Sequence, residues 1–329
     1  MRQVWPLLLI VALVSGCGGT NTRQGPDWLD GSSKKYSSRL YIIGTAQAYN
    51  LEGARDRARA EVAKVFEVAI EEQSRDNLTF ISDASGEKLT QRIARDTSAR
   101  TQKVLHGVEI VDTWHDKKQG QFYAMAVLHR GRTTNALRQQ LEQLDQSTRV
   151  HINSARTVND KLAKLSHAQA AFTLQMQRAG IQRSLQVVDS SGRGVKPRWN
   201  LAQLSTDFRQ QMEQVKLQVN VADQPAGFKQ RVDGVLGKSG FQVKPGQRAD
   251  FILSARLELG KVSRREGWYW INGRMEILLT TPQGQVRGSQ RWPIQVSATE
   301  KATASRRAMD KAVNVLQNEL RNTLLGFAE

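Results

Sequence analysis

Gln121-Phe122-Tyr123-Ala124-Met125-Ala126-Val127-Leu128-His129 is the stretch on which the fold turns. Both of its alternating sets, Phe122/Ala124/Ala126/Leu128 and Tyr123/Met125/Val127, are mostly apolar. A strand with one wet face alternates apolar with polar residues, so this pattern predicts a central strand covered on both sides. Just upstream, Val108 to His115 reads as a partner strand. The connection Asp116-Lys117-Lys118-Gln119-Gly120 has the length and the glycine of a hairpin loop. A further strand runs from Leu40 through Ile42 and Gly44 to Ala46. A helix then opens near Asn50, with Ala54, Ala58, Val62, Val65, Phe66 and Ala69 at helical spacing. Alanines at the front of that face allow close approach to a sheet. A more polar helix carrying Leu89, Ile93, Val104 and Leu105 is expected before the hairpin.

Pro26-Asp27-Trp28, the Tyr41 to Ala46 strand with Gly44, the Ala-rich helix from Ala54 to Ala69, and Trp114 followed by Phe122 to Val127 resemble the Lpp-twenty-type lipoprotein family. The resemblance covers roughly residues 26 to 135. It implies an α+β domain of a kind found in surface- or periplasm-facing lipoproteins and in a flagellar assembly factor, with no catalytic residues to carry over.

The start of the chain fits that resemblance. A basic Met1-Arg2, an apolar run from Val4 to Val14 and then Val14-Ser15-Gly16-Cys17 resemble the bacterial lipobox. The apolar run is shorter than the roughly 20 residues that span a bilayer, so it reads as a signal rather than an anchor. The resemblance implies that Cys17 becomes the mature N-terminus and carries a diacylglycerol and an N-acyl chain. Gly18 stands where Asp retains such proteins in the inner membrane, which implies the outer membrane. Residues 17–25 then form a lipidated tether. Cys17 is the single cysteine, so no disulfide and no cysteine chemistry is expected.

From Thr133 to Ala179 there is neither Pro nor Gly, and Leu137, Leu141, Leu144, Thr148, His151, Ala155, Val158, Leu162, Leu165, Gln169, Phe172 and Met176 keep a four-three spacing. One long coiled-coil helix or a helical hairpin would use this stripe. Asn159-Asp160, a plausible N-cap, favours a hairpin turning near Val158. Self-association through this segment, giving a homo-oligomer, is one way to cover the seam.

The second unit begins near Val215. Strand, helix, three strands and helix are expected in the order βαβββα, with strands at Phe251–Val262, Trp268–Thr280 and Gln285–Val296. Ser297-Ala298-Thr299-Glu300 suggests a capping box that opens the last helix. This order suggests an antiparallel sheet with helices on one face, loosely similar to the periplasmic domain of outer-membrane lipoproteins that activate penicillin-binding proteins. The expected class is therefore α+β: two mixed domains with antiparallel sheets, at 26–132 and 213–329, separated by a long helix or helical hairpin at 133–188 and a linker at 189–212. Residues 1–16 are the signal peptide.

A four-residue turn at Thr281-Pro282-Gln283-Gly284 sets a register for the last two strands. One face then holds Tyr269, Ile271, Met275, Ile277, Leu279, Val286, Trp292 and Ile294, with Gly273 making room for Trp292. The other holds Trp268, Trp270, Arg274, Glu276, Arg287 and Arg291, with Arg274 opposite Arg291. Such a like-charge pair would favour an anion between the two guanidinium groups. Trp268, Trp270, Arg274, Arg287 and Arg291 are thus the candidate site for a glycan or an acidic protein surface. The competing possibilities are that the last helix covers this face or that a one-residue slip exchanges the faces.

Formal net charge is +17 and favours anionic partners. For an exported chain these are lipid headgroups, envelope proteins or peptidoglycan, not nucleic acid. The histidines, His106, His115, His129, His151 and His167, show no metal-ligand spacing, and no metal or cofactor beyond the acyl groups on Cys17 is expected. Ser32-Ser33-Lys34-Lys35 holds a formal Ser-x-x-Lys in a polar stretch, which reads as chance. The expectation is a non-enzymatic outer-membrane lipoprotein, lipid-anchored and facing the periplasm or the cell surface, that serves as an envelope scaffold or assembly factor. Regulation of a peptidoglycan synthase, assembly of a flagellum or other appendage, and envelope glycan or lipid hydrolysis are the alternatives.

Overall fold

The computed structural model describes residues 25–78, 91, 93–99, 107–243 and 249–328. The signal 1–16, Cys17, the tether up to residue 24, and Leu89, Val104, Leu105 and His106 lie outside the described residues. The class is α+β, with two sheets built onto one helical hairpin.

The first sheet has strands β1 (Tyr41–Ala48), β2 (Glu109–Asp116) and β3 (Gln121–His129) in the order β1-β3-β2, all antiparallel. β3 is central and both its faces are covered, as its sequence requires. On one face Ala124, Ala126 and Leu128 pack with Ala54, Ala58, Val62 and Phe66 of α1 (Leu51–Leu78). On the other, Met125 and Val127 pack with Trp28 and Tyr41. The Ala face of α1 works together with Gly44. A Cβ at Gly44 would sit 2.5 Å from the Ala58 carbonyl oxygen, so the helix lies almost on the strand. Trp28 is buried, and its indole Nε1 donates to Asp112 Oδ2 at 2.7 Å, just past the bulge in β2 at Val111. Asn50 Oδ1 caps α1 by accepting from the Gly53 N–H at 2.6 Å.

The apolar stripe of the middle region forms a hairpin of α2 (Arg130–Thr157) and α3 (Lys161–Val188). The chain turns at 158–160, where the Asp160 carboxylate accepts from the Ala163 N–H at 2.8 Å and caps α3. The hairpin is not a detached spacer. At its start α3 gives Leu162 and Leu165 to the core of the second unit. At its end it gives Ile181, Leu185 and Val188 to the core of the first. Between them Phe172 and Met176 pack with Ile93 of the helical segment 93–99. Polar seam residues are matched inside the hairpin: Gln175 Nε2 donates to Asp145 Oδ1 (3.1 Å) and Thr148 Oγ1 (2.8 Å), and Arg178 pairs with Asp145 at 2.8 Å.

Residues 189–212, expected to be a linker, contain most of a further helix, α4 (Leu201–Gln214). Asn200 caps it, and Phe208 and Met212 enter the second core. Leu201, Leu204, Phe208 and Met212 carry the helical period, but polar residues between them mask it.

The second sheet contains β4 (Lys216–Val221), β5 (Gln242–Val243), β6 (Phe251–Leu259), β7 (Ser263–Arg265), β8 (Trp268–Thr280) and β9 (Val286–Ala298). It is mixed rather than wholly antiparallel. Helix α5 (Phe228–Lys238) carries the chain over from β4, so β4 runs parallel to β5 and β6. β8 is the centre, paired along one edge with β9 and along the other with β6 and then β7. The final helix α6 (Lys301–Gly326) lays Ala304, Ala308, Ala312, Leu316, Leu320 and Leu324 into the core beneath the sheet. The expected capping box does not form, because Ser297 is still in β9 opposite Trp270; Glu300 is the N-cap residue and makes no side-chain cap.

Candidate functional site

The face of β8 that carries Trp268, Trp270, Arg274 and Glu276 is the one that α6 leaves open. Tyr269, Ile271, Met275, Ile277 and Leu279 point the other way, into the core. The division of faces read from the sequence therefore holds for β8, while the pairing does not. The turn is longer than four residues: the Thr281 N–H donates to the Gln285 carbonyl (2.8 Å), Thr280 pairs with Val286, and Arg287 is the extra residue of a bulge. Beyond the bulge the register is displaced by two positions. Trp292 lies opposite Met275 rather than Gly273, and Gly273 faces Ile294. A two-residue displacement keeps the alternation, so the core face survives.

The consequences fall on the arginines. Arg274 and Arg291 do not meet. Arg274 faces Pro293 on one side and pairs with Glu258 of β6 at 2.7 Å, while Arg291 faces Glu276 and bonds it at 2.8 Å. Glu258 also accepts from Arg256 at 3.4 Å. The expected slot for an anion between like charges is absent, because the observed register places each guanidinium beside a carboxylate. These exposed pairs contribute about 0–1 kcal/mol each and act as a polar cover for the sheet.

Arg287 and Val286 change sides at the bulge. Val286, expected in the core, is exposed. Arg287, expected on the open face, lies over the Phe251 ring at 5.7 Å and forms a two-point pair with Asp160 at 2.6 and 3.2 Å. Burial alone would raise the Asp160 carboxyl, but the hydrogen bonds from Arg287 and the Ala163 N–H hold it below its ordinary value.

What remains at the open end of the face is aromatic. Trp268 and Trp270 are 44% and 41% exposed although they stand on the central strand, paired with Arg265 and Ser263 of β7. Trp270 also pairs with Ser297 of β9. Arg265 makes no ion pair among the described residues, whereas its neighbour Arg264 lies over the Tyr269 ring at 5.5 Å. Two indoles held by three strands, with an unengaged guanidinium beside them, can stack on a flat group and meet a carboxylate.

Other sequence candidates are engaged elsewhere. Ser32 bonds Asp30 and Lys35 lies over Tyr36, so the Ser-x-x-Lys pair is not assembled. His115 stacks on Phe122, and the His129 ring caps α2 by accepting from the Gly131 and Arg132 N–H groups. His151 and His167 meet across the hairpin, Nδ1 to Nδ1, at 3.0 Å. Their sixteen-residue separation carried no signal before the turn was placed. Among the described residues no group of three or more metal-ligating side chains occurs, and no helix is long and apolar enough to cross a membrane.

Comparison with known proteins bears on the first unit. Residues 26–129 match the family model of the LPP20 lipoproteins. The matched segment is the first sheet with α1 and the Trp28 segment, the same stretch whose motifs resemble that family. A comparison with curated proteins finds no match. Among solved structures the chain is similar to the secreted protein HP1454 from Helicobacter pylori, at 16% identity over 85% of this chain and 97% of that one, with a TM-score of 0.43. It is also similar to a minor lipoprotein from Acinetobacter baumannii (10% identity, 33% of this chain and 91% of that one, TM-score 0.29). A third is the rare lipoprotein B from Shewanella oneidensis (16% identity, 34% and 91%, TM-score 0.21).

Proposed function

We propose that the protein is a non-enzymatic outer-membrane lipoprotein that serves as a cell-envelope scaffold or assembly factor, docking a partner protein on the open face of its second sheet. The Cys17 lipobox and the LPP20 match over 26–129 support a lipid-anchored envelope protein, and Gly18 supports the outer membrane. One observation carries the docking role: Trp268 and Trp270 stay exposed on the central strand of a sheet whose other face is filled. Exposed tryptophans on a rigid element, ringed by polar groups, are the composition of a protein–protein hot spot. Arg265 beside them suits a partner with a carboxylate at the contact. Helix α3, shared by both cores, would transmit the position of the anchored end to this face without a free joint.

The test is crosslinking in intact cells with an affinity tag at Glu329, comparing wild type, Cys17→Ala and Trp268→Ala/Trp270→Ala. Loss of one specific envelope partner in the tryptophan variant, with the chain still folded, supports the docking face. The same partner recovered undiminished from that variant overturns it. Capture by wild type but not by Cys17→Ala would make assembly depend on membrane placement.

A further inference from the structure

A cavity of about 430 Å³ lies away from the sheet, between the turn end of the α2–α3 hairpin and the start of α4. None of its lining residues belongs to either sheet. Its volume is within the range of about 300–1,000 Å³ of sites that hold small ligands. The lining joins two kinds of surface. Three cations converge on it from three segments: Arg156 near the end of α2, Lys164 in the first turns of α3, and Arg198 before α4. None of the three has an ion-pair partner among the described residues. One carboxylate, Asp207, also lines the cavity, and its Oδ1 is taken by the Gln203 amide at 2.7 Å. Three positive charges against one negative leave the cavity cationic. The rest of the wall is part apolar, with Ala168 of α3, Leu204 of α4 and the Trp199 ring, and part neutral polar, with Asn200, Gln210 and Gln211.

An inorganic anion would use the cations and leave the apolar wall wet. A neutral lipid would bury its chain and strand three cations. We infer that the cavity binds a small anionic amphiphile, with a phosphate or carboxylate head between Arg156, Lys164 and Arg198 and a short aliphatic part against Ala168, Leu204 and Trp199. Charge complementarity selects the head, since a guanidinium or ammonium bonded to an oxyanion forms stronger hydrogen bonds than a neutral donor does. This site is independent of the docking face, so either can fail without the other.

The experiment is titration calorimetry on the mature chain carrying Cys17→Ala, using decyl phosphate, inorganic phosphate and decyl maltoside as probes below their micellar concentrations. Decyl phosphate is expected to bind saturably at one site per chain. Lys164→Ala/Arg198→Ala, with an unchanged melting temperature, should weaken it by about tenfold or more, as the loss of two charge-assisted contacts requires. Trp268→Ala should bind as the parent does. Binding of phosphate as tight as decyl phosphate would reduce the site to an adventitious ion only. Binding of decyl maltoside as tight as decyl phosphate, no saturable binding, or binding unaffected by the double variant would overturn the inference.

Discussion

Asp160 and Arg287 are 127 positions apart in the sequence and meet through two hydrogen bonds, at 2.6 and 3.2 Å. The carboxylate caps α3, and the guanidinium is the bulge residue of β9. One pair therefore fixes the turn of the helical hairpin to the tip of the last β-hairpin. The neighbouring Lys161 adds a second link to another part of the sheet by bonding both oxygens of Asp250, just before β6; Asp250 also accepts from the Lys216 N–H at the start of β4.

The first prediction follows from that pair. A hydrogen-bonded contact between charged groups is worth about 1.5–3 kcal/mol, and Arg287→Ala should lower stability by that order in a denaturant titration. The folded state holds the Asp160 carboxyl below its ordinary value. Its contribution is thus complete above the unfolded carboxylate pKa, near 4, and is lost as pH falls through the lower folded value. The melting temperature should drop as pH falls below about 4, and less steeply in Arg287→Ala. Equal slopes for the two proteins would show that the pair does not couple to folding.

Asp145 and Arg178 form a different kind of pair, almost wholly buried between α2 and α3. Gln175 donates to the same Asp145 oxygen, Oδ1, and Arg178 Nη2 reaches the carbonyls of Val195 and Lys196 at 3.3 and 3.4 Å. Removing one partner strands the other without solvent, so Asp145→Ala should cost about 3–5 kcal/mol. Replacing both by apolar residues, as in Asp145→Leu/Arg178→Met, should recover most of that loss. A double variant no more stable than the single would mean that the carbonyl contacts, not the charge, are what the site needs.

These elements differ in how legible they were. β3 could be placed because burial on both faces leaves a direct mark on composition. The hairpin turn could be placed because an N-cap needs a short acceptor, and Asp160 supplies it. The register of β8 against β9 could not, because it depends on one extra residue at Arg287, and a bulge leaves no hydrophobic signature. Face assignments for Tyr269, Trp270 and Ile271 needed only the alternation along β8, and those of Trp292 and Ile294 survived because the displacement was even. Pairings such as Arg274 with Arg291 did not. The cavity at Lys164 and Arg198 was invisible for a related reason: its cations are far apart in sequence until the hairpin and α4 close on each other.

Gly44 offers a test of the packing that the α1 face implies. An added Cβ would meet the Ala58 carbonyl oxygen at 2.5 Å and Val62 Cγ2 at 2.9 Å, and backbone cannot step aside as a side chain can. Gly44→Ala should therefore destabilise the first unit by about 1–3 kcal/mol, the usual cost of overpacking. The change should appear as weaker amide exchange protection in β1 and α1. A neutral outcome would mean that the helix can lift from the sheet without loss.

β9 is the outer partner of β8 and runs for thirteen residues, long enough to recruit a strand from another chain. Three of its carbonyls are nevertheless occupied. Lys311 donates to the Gln295 carbonyl at 3.0 Å, Arg307 to that of Ser297 at 2.7 Å, and Gln290 to that of Arg291 at 3.0 Å. In a strand these carbonyls point to one side, and Pro293, at the gap in the series, has no N–H to offer. Side chains from α6 and from β9 itself thus cover part of the edge that backbone pairing would use. Pro293→Val/Arg307→Ala/Lys311→Ala should expose it and shift the soluble chain carrying Cys17→Ala toward concentration-dependent association in sedimentation velocity. The same chain with Trp268→Ala added should associate equally, because edge pairing needs no indole. If the triple variant stayed in the same state as the parent at all concentrations, the edge would be closed by its own twist rather than by these side chains.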